Sequence, residues 1–344
     1  MARRVPLAIT LALGLAFATL APAPGGASTA LRVQSTVTSA VTSSMPLVRL
    51  HFSSDVAASS LPALRVRPGL STTWQQIGPR SVQAVATVTP VPLVRYTIDA
   101  PVRVRCAARC TFTQLRPYVA SALADVSWED QLLATLHYLP LAFTPTIPQA
   151  DPSQPTPGTY TWRYAHLPTR LSAQWRFGTD NVLLTGAVMA FQSDHQLPSN
   201  GVVDAATWTA LLAAVQQNLV DPHPYGYVEV SLASPETLTL YVAGRETFHT
   251  LVNTGISVAP TQAGTFPVYL RYTSQTMSGT NPDGSHYSDP GIPWISYFNG
   301  GDALHGFIRA TYGWPQSLGC VEMPYPAAKV IWPSTPIGTL VTVH

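Results

Sequence analysis

Apolar and polar positions change period twice along the chain. Between residues 31 and 105 apolar side chains recur at every second position, as in Val48, Leu50 and Phe52 and again in Val94, Tyr96 and Ile98. A period of two sends alternate side chains to opposite faces of a strand. Pro68-Gly69 and Gly78-Pro79 separate the runs as turn dipeptides do, and the stretch predicts a small β-sandwich.

From 106 to 220 the period lengthens to that of a helix. Trp128, Leu132, Leu133 and Leu136 share one face, behind a capping-box-like Ser127 and Asp130 and ahead of a stop at Pro140. A second helix is expected over Ala187 to His195, with Val188 and Phe191 buried. A third opens at Asp204 and carries Trp208, Leu211, Leu212 and Val215 at i, i+3, i+4 and i+7. A long insert, residues 141–180, separates the first helix from the second and contains a Pro-rich run and Trp162-Arg163-Tyr164. After Asp221-Pro222-His223-Pro224 the period returns to two: Val228, Val230 and Leu232, then Leu238, Leu240 and Val242, with Pro235-Glu236 at the turn between them. Short strands follow over 248–252 and 266–270, and no helix-length pattern precedes Pro324. The expected fold class is therefore multidomain, β plus α: a β-sandwich over 31–105, a three-helix module over 106–220 and an all-β domain over 226–344.

Composition narrows the partners. Charged residues are only 10% of the 344, and the net charge of +2 gives no electrostatic footprint for nucleic acid or an anionic bilayer. Residues 1–30 read as a signal peptide, with Arg3 and Arg4 before the apolar run Ala8 to Leu20 and small residues at Ala27 to Ala30. An uncleaved N-terminal anchor is the alternative, and the only membrane contact expected. Export makes the cysteine count informative. Of three cysteines, Cys106 and Cys110 enclose three residues and are natural partners for a disulfide if the chain turns there. Cys320 is then left as a free thiol.

That thiol lies in the sharpest constellation of the sequence, His305-Gly306 followed by Ser317-Leu318-Gly319-Cys320. A thiol becomes a useful nucleophile when a base stands beside it, and imidazole is the usual one. Gly319, without a Cβ, lets backbone N–H groups approach a reacting carbonyl as an oxyanion hole requires. Ser317 either supports the chemistry or closes a turn through its hydroxyl. Tyr287 and Trp294, with His286, sit in a Gly/Ser/Asp-rich stretch and are candidates for the groove. Gly306, Arg309 and Glu322 complete the candidate substrate-binding set, and no metal or other cofactor is expected.

His305 to Cys320, with Ser317 and Gly319, resembles the active-site signature of the L,D-transpeptidase catalytic domain family (YkuD-like). The similarity runs from about Tyr227 to the end and includes Thr254-Gly255 and Pro260 to Phe266. Met277-Ser278-Gly279 and Pro293-Trp294 occupy the stretch that borders the family's substrate groove. Upstream, Ala187 to Gln192, Leu197, Gly201 to Asp204 and Thr207-Trp208 resemble a peptidoglycan-binding domain 1 module, and residues 31–105 look similar to immunoglobulin-like spacers of exported enzymes. The first resemblance implies acyl transfer on peptidoglycan stem tetrapeptides. Cys320 would form a thioester, His305 would move the protons, and an amine of a neighbouring stem would resolve the thioester into a 3→3 cross-link. It also implies inhibition by β-lactams of the carbapenem type.

The chain departs from that family where a histidine usually precedes Gly-Cys and Asn or Arg lies two residues after Cys; here those positions are Leu318 and Glu322. The carboxylate of Glu322 would oppose ionisation of the thiol unless a cation answers it, either the substrate's diamino acid or Arg309, or unless it pairs structurally or points to solvent. Two further functions compete: an L,D-carboxypeptidase or hydrolase on the same fold, with water as acceptor, and a non-catalytic wall-binding protein.

Overall fold

The computed structural model describes residues 33–37, 40–41, 46–99, 101–102, 113–114, 118–122 and 125–344. The expected signal segment and the Cys106–Cys110 pair lie outside the described residues. The chain divides into two compact units, Met1–Ala124 and Asp125–His344.

Among the described residues the first unit contains ten strands: β1 (Val33–Val37), β2 (Ala40–Val41), β3 (Val48–Phe52), β4 (Arg65–Arg67), β5 (Thr72–Gly78), β6 (Ser81–Ala86), β7 (Arg95–Asp99), β8 (Pro101–Val102), β9 (Thr113–Gln114) and β10 (Tyr118–Ala122). They make four-stranded sheets ordered β1-β3-β6-β5 and β2-β10-β7-β4, and a β8-β9 pair. Strict alternation in β3 turns Val48, Leu50 and Phe52 inward, where they meet Val82 and Ala84 of β6 and Tyr96 and Ile98 of β7 in one core. The expected boundary at 105 moves outward because Tyr118–Ala122 pairs with β7 in register, Tyr118 opposite Ile98.

The second unit opens with α1 (Val126–Thr135). Its N-cap is Asp125, whose carboxylate accepts from Ser127 N (3.0 Å) and Trp128 N (3.4 Å). The expected capping box at Ser127 is thus corrected. Asp130 is buried and accepts instead from Gly178 N at 2.8 Å. The insert folds into a hairpin, β11 (Leu141–Pro145) with β12 (Gly158–Trp162), and the short α2 (Thr169–Ser172). Arg163 ties it to the end of α1 through the carbonyl of Ala134 and braces the hairpin itself through that of Leu141. The helices α3 (Val182–Asp194) and α4 (Ala205–Gln217) follow. Asp204 caps α4 as expected, and Trp208 packs on Trp128 with ring centres 5.1 Å apart. Of the predicted face, Trp208, Leu211 and Val215 are buried and Leu212 is half-buried.

The C-terminal domain comprises β13 (Gly226–Ser231), β14 (Thr237–Val242), β15 (Arg245–Leu251), β16 (Gly264–Pro267), β17 (Leu270–Thr280), β18 (His286–Asn299), β19 (Asp302–Gly306), β20 (Val321–Met323), α5 (Tyr325–Ile331) and β21 (Leu340–Val343). Five strands are ordered β15-β14-β13-β21-β16 and four β17-β18-β19-β20, around a core of Val228, Val230, Leu238, Leu304, Val321, Met323 and Val341. The all-β expectation gains one helix, α5, immediately after Pro324. The helical module docks directly on this domain. Gly186 of α3 and Gly338 approach backbone to backbone: a Cβ on Gly338 would stand 2.3 Å from the Gly186 carbonyl oxygen. Among the described residues no helix is long and apolar enough to cross a membrane.

Candidate active site

The site is assembled at the junction of two parallel strands. β19 and β20 pair with Leu304 opposite Val321 and His305 opposite Glu322, which brings the His305-Gly306 and Cys320 segments side by side. Alternation along β19 then sorts the side chains. Leu304 faces the main core, while Ala303 joins a separate cluster of Ile292 and Ile295, flanked by Met277, Tyr297, Phe307 and Cys320. His305 shares the strand face of Ala303, the face that carries Cys320.

His305 is 3% exposed, and its Nδ1 lies 3.0 Å from the carbonyl oxygen of Gly306. A carbonyl can only accept, so Nδ1 holds the proton and Nε2 presents its lone pair. Burial lowers the imidazole's pKa, opposed by the Gly306 carbonyl and the charge of Glu322 and reinforced by Arg309. The ring is neutral near neutrality and ready to accept a proton. Gly306 positions rather than binds: a Cβ there would meet Tyr325, Pro293 and Ala328 at 2.9 to 3.3 Å.

Cys320 is partly exposed, with Sγ 3.6 Å from the Gly301 carbonyl oxygen. Burial pushes the thiol up to about 12; a hydrogen bond from the Ala303 backbone opposes this, and the charges of Asp302 and Glu322 add to it. At rest the two groups are therefore a thiol and a neutral imidazole.

The turn before Cys320 is held by Ser317, whose hydroxyl donates to the Cys320 carbonyl at 2.6 Å and accepts from Gly319 N at 3.2 Å. Of the two expected roles this is the turn-closing one. It also corrects the expectation for Gly319: its N–H is engaged by Ser317 rather than pointing at a substrate oxygen. Gly319 is required for its shape, with φ at +117° and Asp302 Oδ1 2.5 Å from where a Cβ would stand. Thr261, which sequence reasoning missed as an individual residue, donates to the Gly319 carbonyl at 2.7 Å and accepts from Gly255 N at 2.9 Å. Its only signal was its place in the Pro260 to Phe266 segment.

The alternatives left for Glu322 are decided by Arg309. Nε lies 2.7 Å from Oε2 and Nη2 2.9 Å from Oε1, a bidentate pair in which Glu322 is buried, and the guanidinium covers Phe307 at 4.6 Å. Phe307 in turn meets His305 edge-on at 6.0 Å. Among the groove candidates, Tyr287 is brought near Cys320: burial raises its phenol, and the charge of Cys320 is the next cause. Tyr297, not foreseen, feels the same charge. Trp294 is corrected, since it packs against the main core and Tyr325, 6.2 Å between ring centres. His286 stands exposed at the far end of the β17–β18 hairpin, 3.2 Å from Thr280 Oγ1.

Residues 225–343 match the family model of the L,D-transpeptidase catalytic domain. Residues 177–211 match that of a putative peptidoglycan binding domain. Both matches fall where the sequence resemblances lie. Among solved structures, the chain is similar to the catalytic domain of an Enterococcus faecium L,D-transpeptidase, at 27% identity over 36% of this chain and 99% of that one, with a TM-score of 0.32. The same domain acylated by ertapenem matches at 27% identity over 35% and 98%, TM-score 0.32. An L,D-transpeptidase from Mycobacterium smegmatis matches at 10% identity over 91% and 97%, TM-score 0.32. No curated protein matches the chain significantly.

Proposed function

We propose that this protein is a cell-wall L,D-transpeptidase that acts on peptidoglycan stem tetrapeptides through a thioester on Cys320. The observation that carries the reading is the buried His305, whose Nδ1 is held by the Gly306 carbonyl so that Nε2 is free as a base, on the strand face that carries the thiol. His305 takes the thiol proton as sulfur attacks the carbonyl of the third residue, then gives it to the departing D-alanine amine. The Cys320 N–H is the turn's candidate donor to the oxyanion, since Ser317 holds that of Gly319. A neighbouring stem's amine then displaces the thiolate and forms a 3→3 cross-link. In this reading residues 1–30 direct export, Cys106 and Cys110 are oxidised, and the helical module holds the wall. Carbapenems, whose strained carbonyl offers the thiol a substrate that resists release, are the expected inhibitors.

Mass spectrometry of the products from a disaccharide-tetrapeptide tests the reading. Dimers linked through two diamino acids are expected; tripeptide alone would favour the hydrolase, and unchanged substrate with no carbapenem adduct would remove both.

A further inference from the structure

Two carboxylates lie close enough to Cys320 for their charge to be felt at the thiol, Asp302 and Glu322. They differ in company. Glu322 is buried and clamped by both arms of Arg309. Asp302 is half-exposed, accepts a long hydrogen bond from Gln262 N at 3.3 Å and another from the side chain of Asn299, and has no ion-pair partner among the described residues. Its place is specific. Residues on either side of it touch the nucleophile: the Gly301 carbonyl lies 3.6 Å from Sγ, and the Ala303 backbone donates to it. The carboxylate itself rests on Gly319, where a Cβ would come within 2.5 Å of Oδ1.

A free carboxylate at this point hinders the first half-reaction, because negative charge beside a thiol opposes thiolate formation. What it suits is the second half-reaction, in which a cation has to reach the same carbon. An amine acceptor arrives as an ammonium and is inert until it loses a proton. His305 Nε2 is needed for the proton that passes to sulfur, and neither Leu318, beside the nucleophile's turn, nor Arg309, already bound to Glu322, can take the other.

We infer that Asp302 receives the ammonium of the acyl acceptor and so selects an amine over water, an assignment that rests on the transpeptidase reading above. The ammonium docks on the carboxylate and gives it one proton. The freed nitrogen lone pair attacks the thioester carbon, the C–N bond forms, and the C–S bond breaks. A second amine proton passes through His305 Nε2 to the departing sulfur, leaving an amide, a thiol and a protonated Asp302, which then returns its proton to solvent.

The test uses the full chain and Asp302→Asn, which keeps the shape over Gly319 and an oxygen for Gln262 and Asn299. A separate sample of each protein is titrated with ertapenem to count its reactive thiols, and untreated protein is then given a disaccharide-tetrapeptide donor with either a cationic stem amine or hydroxylamine, which is neutral near pH 7. The variant should lose about ten- to a hundredfold in rate with the cationic amine, the worth of a charge-assisted hydrogen bond. The ratio of hydroxylamine transfer to hydrolysis, in which any change of the acylation rate cancels, should stay within about twofold. Asp302→Glu should recover part of the preference for the cation. On the unaltered protein, added salt should move products from dimer toward hydrolysed tripeptide, which needs no variant to fold. Equal losses with both acceptors, or a salt-independent product ratio, would overturn the assignment. Failure of the unaltered protein to form any thioester, seen before an acceptor is added, would remove the transpeptidase reading itself and this assignment with it.

Discussion

In the first unit the buried side chains among the described residues are all hydrophobic, and the one buried hydroxyl, that of Tyr96, accepts from Val91 N at 2.8 Å. In the C-terminal domain Glu236, Asn253, Thr254, Thr261, Ser296, His305, Ser317 and Glu322 lie just as deep. Both regions are made of strands with the same inward and outward alternation. The difference is that the second spends its interior on polar groups that must each find a partner, because an unpaired buried donor or acceptor costs about 1–3 kcal/mol. The partners are present: Glu236 accepts from Thr254 N and Oγ1, both at 2.7 Å, and Asn253 Oδ1 accepts from Gly313 N at 3.0 Å. Those bonds lead inward to the Thr261, Gly319 and Ser317 contacts around Cys320. Buried polarity of this kind fixes the turn before Cys320 in one geometry, which an apolar core alone does not do.

The largest expected break in that comparison is chemical. Cys320→Ala should abolish carbapenem adducts in intact-mass measurements, and His305→Gln should slow their formation about 10²- to 10⁴-fold, each with its thermal transition nearly in place. The matching change in the first unit is Phe52→Ala, which empties a core position at 0% exposure. It should cost that unit about 3–5 kcal/mol in denaturant unfolding while leaving acylation per folded molecule unchanged. A fall in acylation rate there would mean that the apolar unit shares in the chemistry.

Between these lies the buried ion pair. Arg309→Met should destabilise the second unit by about 3 kcal/mol, because Glu322 is left charged and unpaired where it is 5% exposed. Arg309→Met with Glu322→Leu should regain most of that loss in chemical unfolding. A double variant no more stable than the single one would mean the penalty comes from lost packing on Phe307 rather than from the orphaned charge.

The same contrast governs what could be read from the chain. Period alone found Val48, Leu50 and Phe52, Trp208 and Leu211, Val228 and Val230, although Leu232, next in the same alternation, is 36% exposed. The charged and turn-forming positions were harder. Ser127 looked like a cap, but Asp125 two residues earlier has the extended backbone a cap needs. Trp294 looked like a groove residue because exposed and core aromatics have the same letter; its positive φ of 53° and its packing on Tyr325 are tertiary facts. The motif singles out Cys320 and His305, and the β19–β20 pairing brings their segments side by side. Thr261 and Asp302 act across separations of 58 and 40 residues, to Gly319 and from Gln262, and no local pattern announces such contacts. The close approach of Gly186 and Gly338, which seats the helical module, was hidden for the same reason.

The smallest expected effect concerns the electrical side of the pair. Glu322 raises the pKa of His305 and Arg309 lowers it, while burial keeps it below the ordinary histidine value. Glu322→Gln removes the first influence and leaves the second unopposed, so both changes act downward. The base works only when unprotonated, so acylation is present above the imidazole's pKa and is lost as pH falls through it. The acid limb of the carbapenem acylation profile should therefore move to lower pH in the variant, by less than about one unit because a charge pair this close largely cancels at a distance. The thiol should shift the same way, since Glu322 also raises Cys320, and the rise in rate on the alkaline side should begin earlier. Superimposable profiles would mean that the pair is electrically silent at the site and acts only by holding the β20 edge in place. A shift to higher pH would reverse the sign of the argument, and with it the assignment of His305 as the base whose titration is being followed.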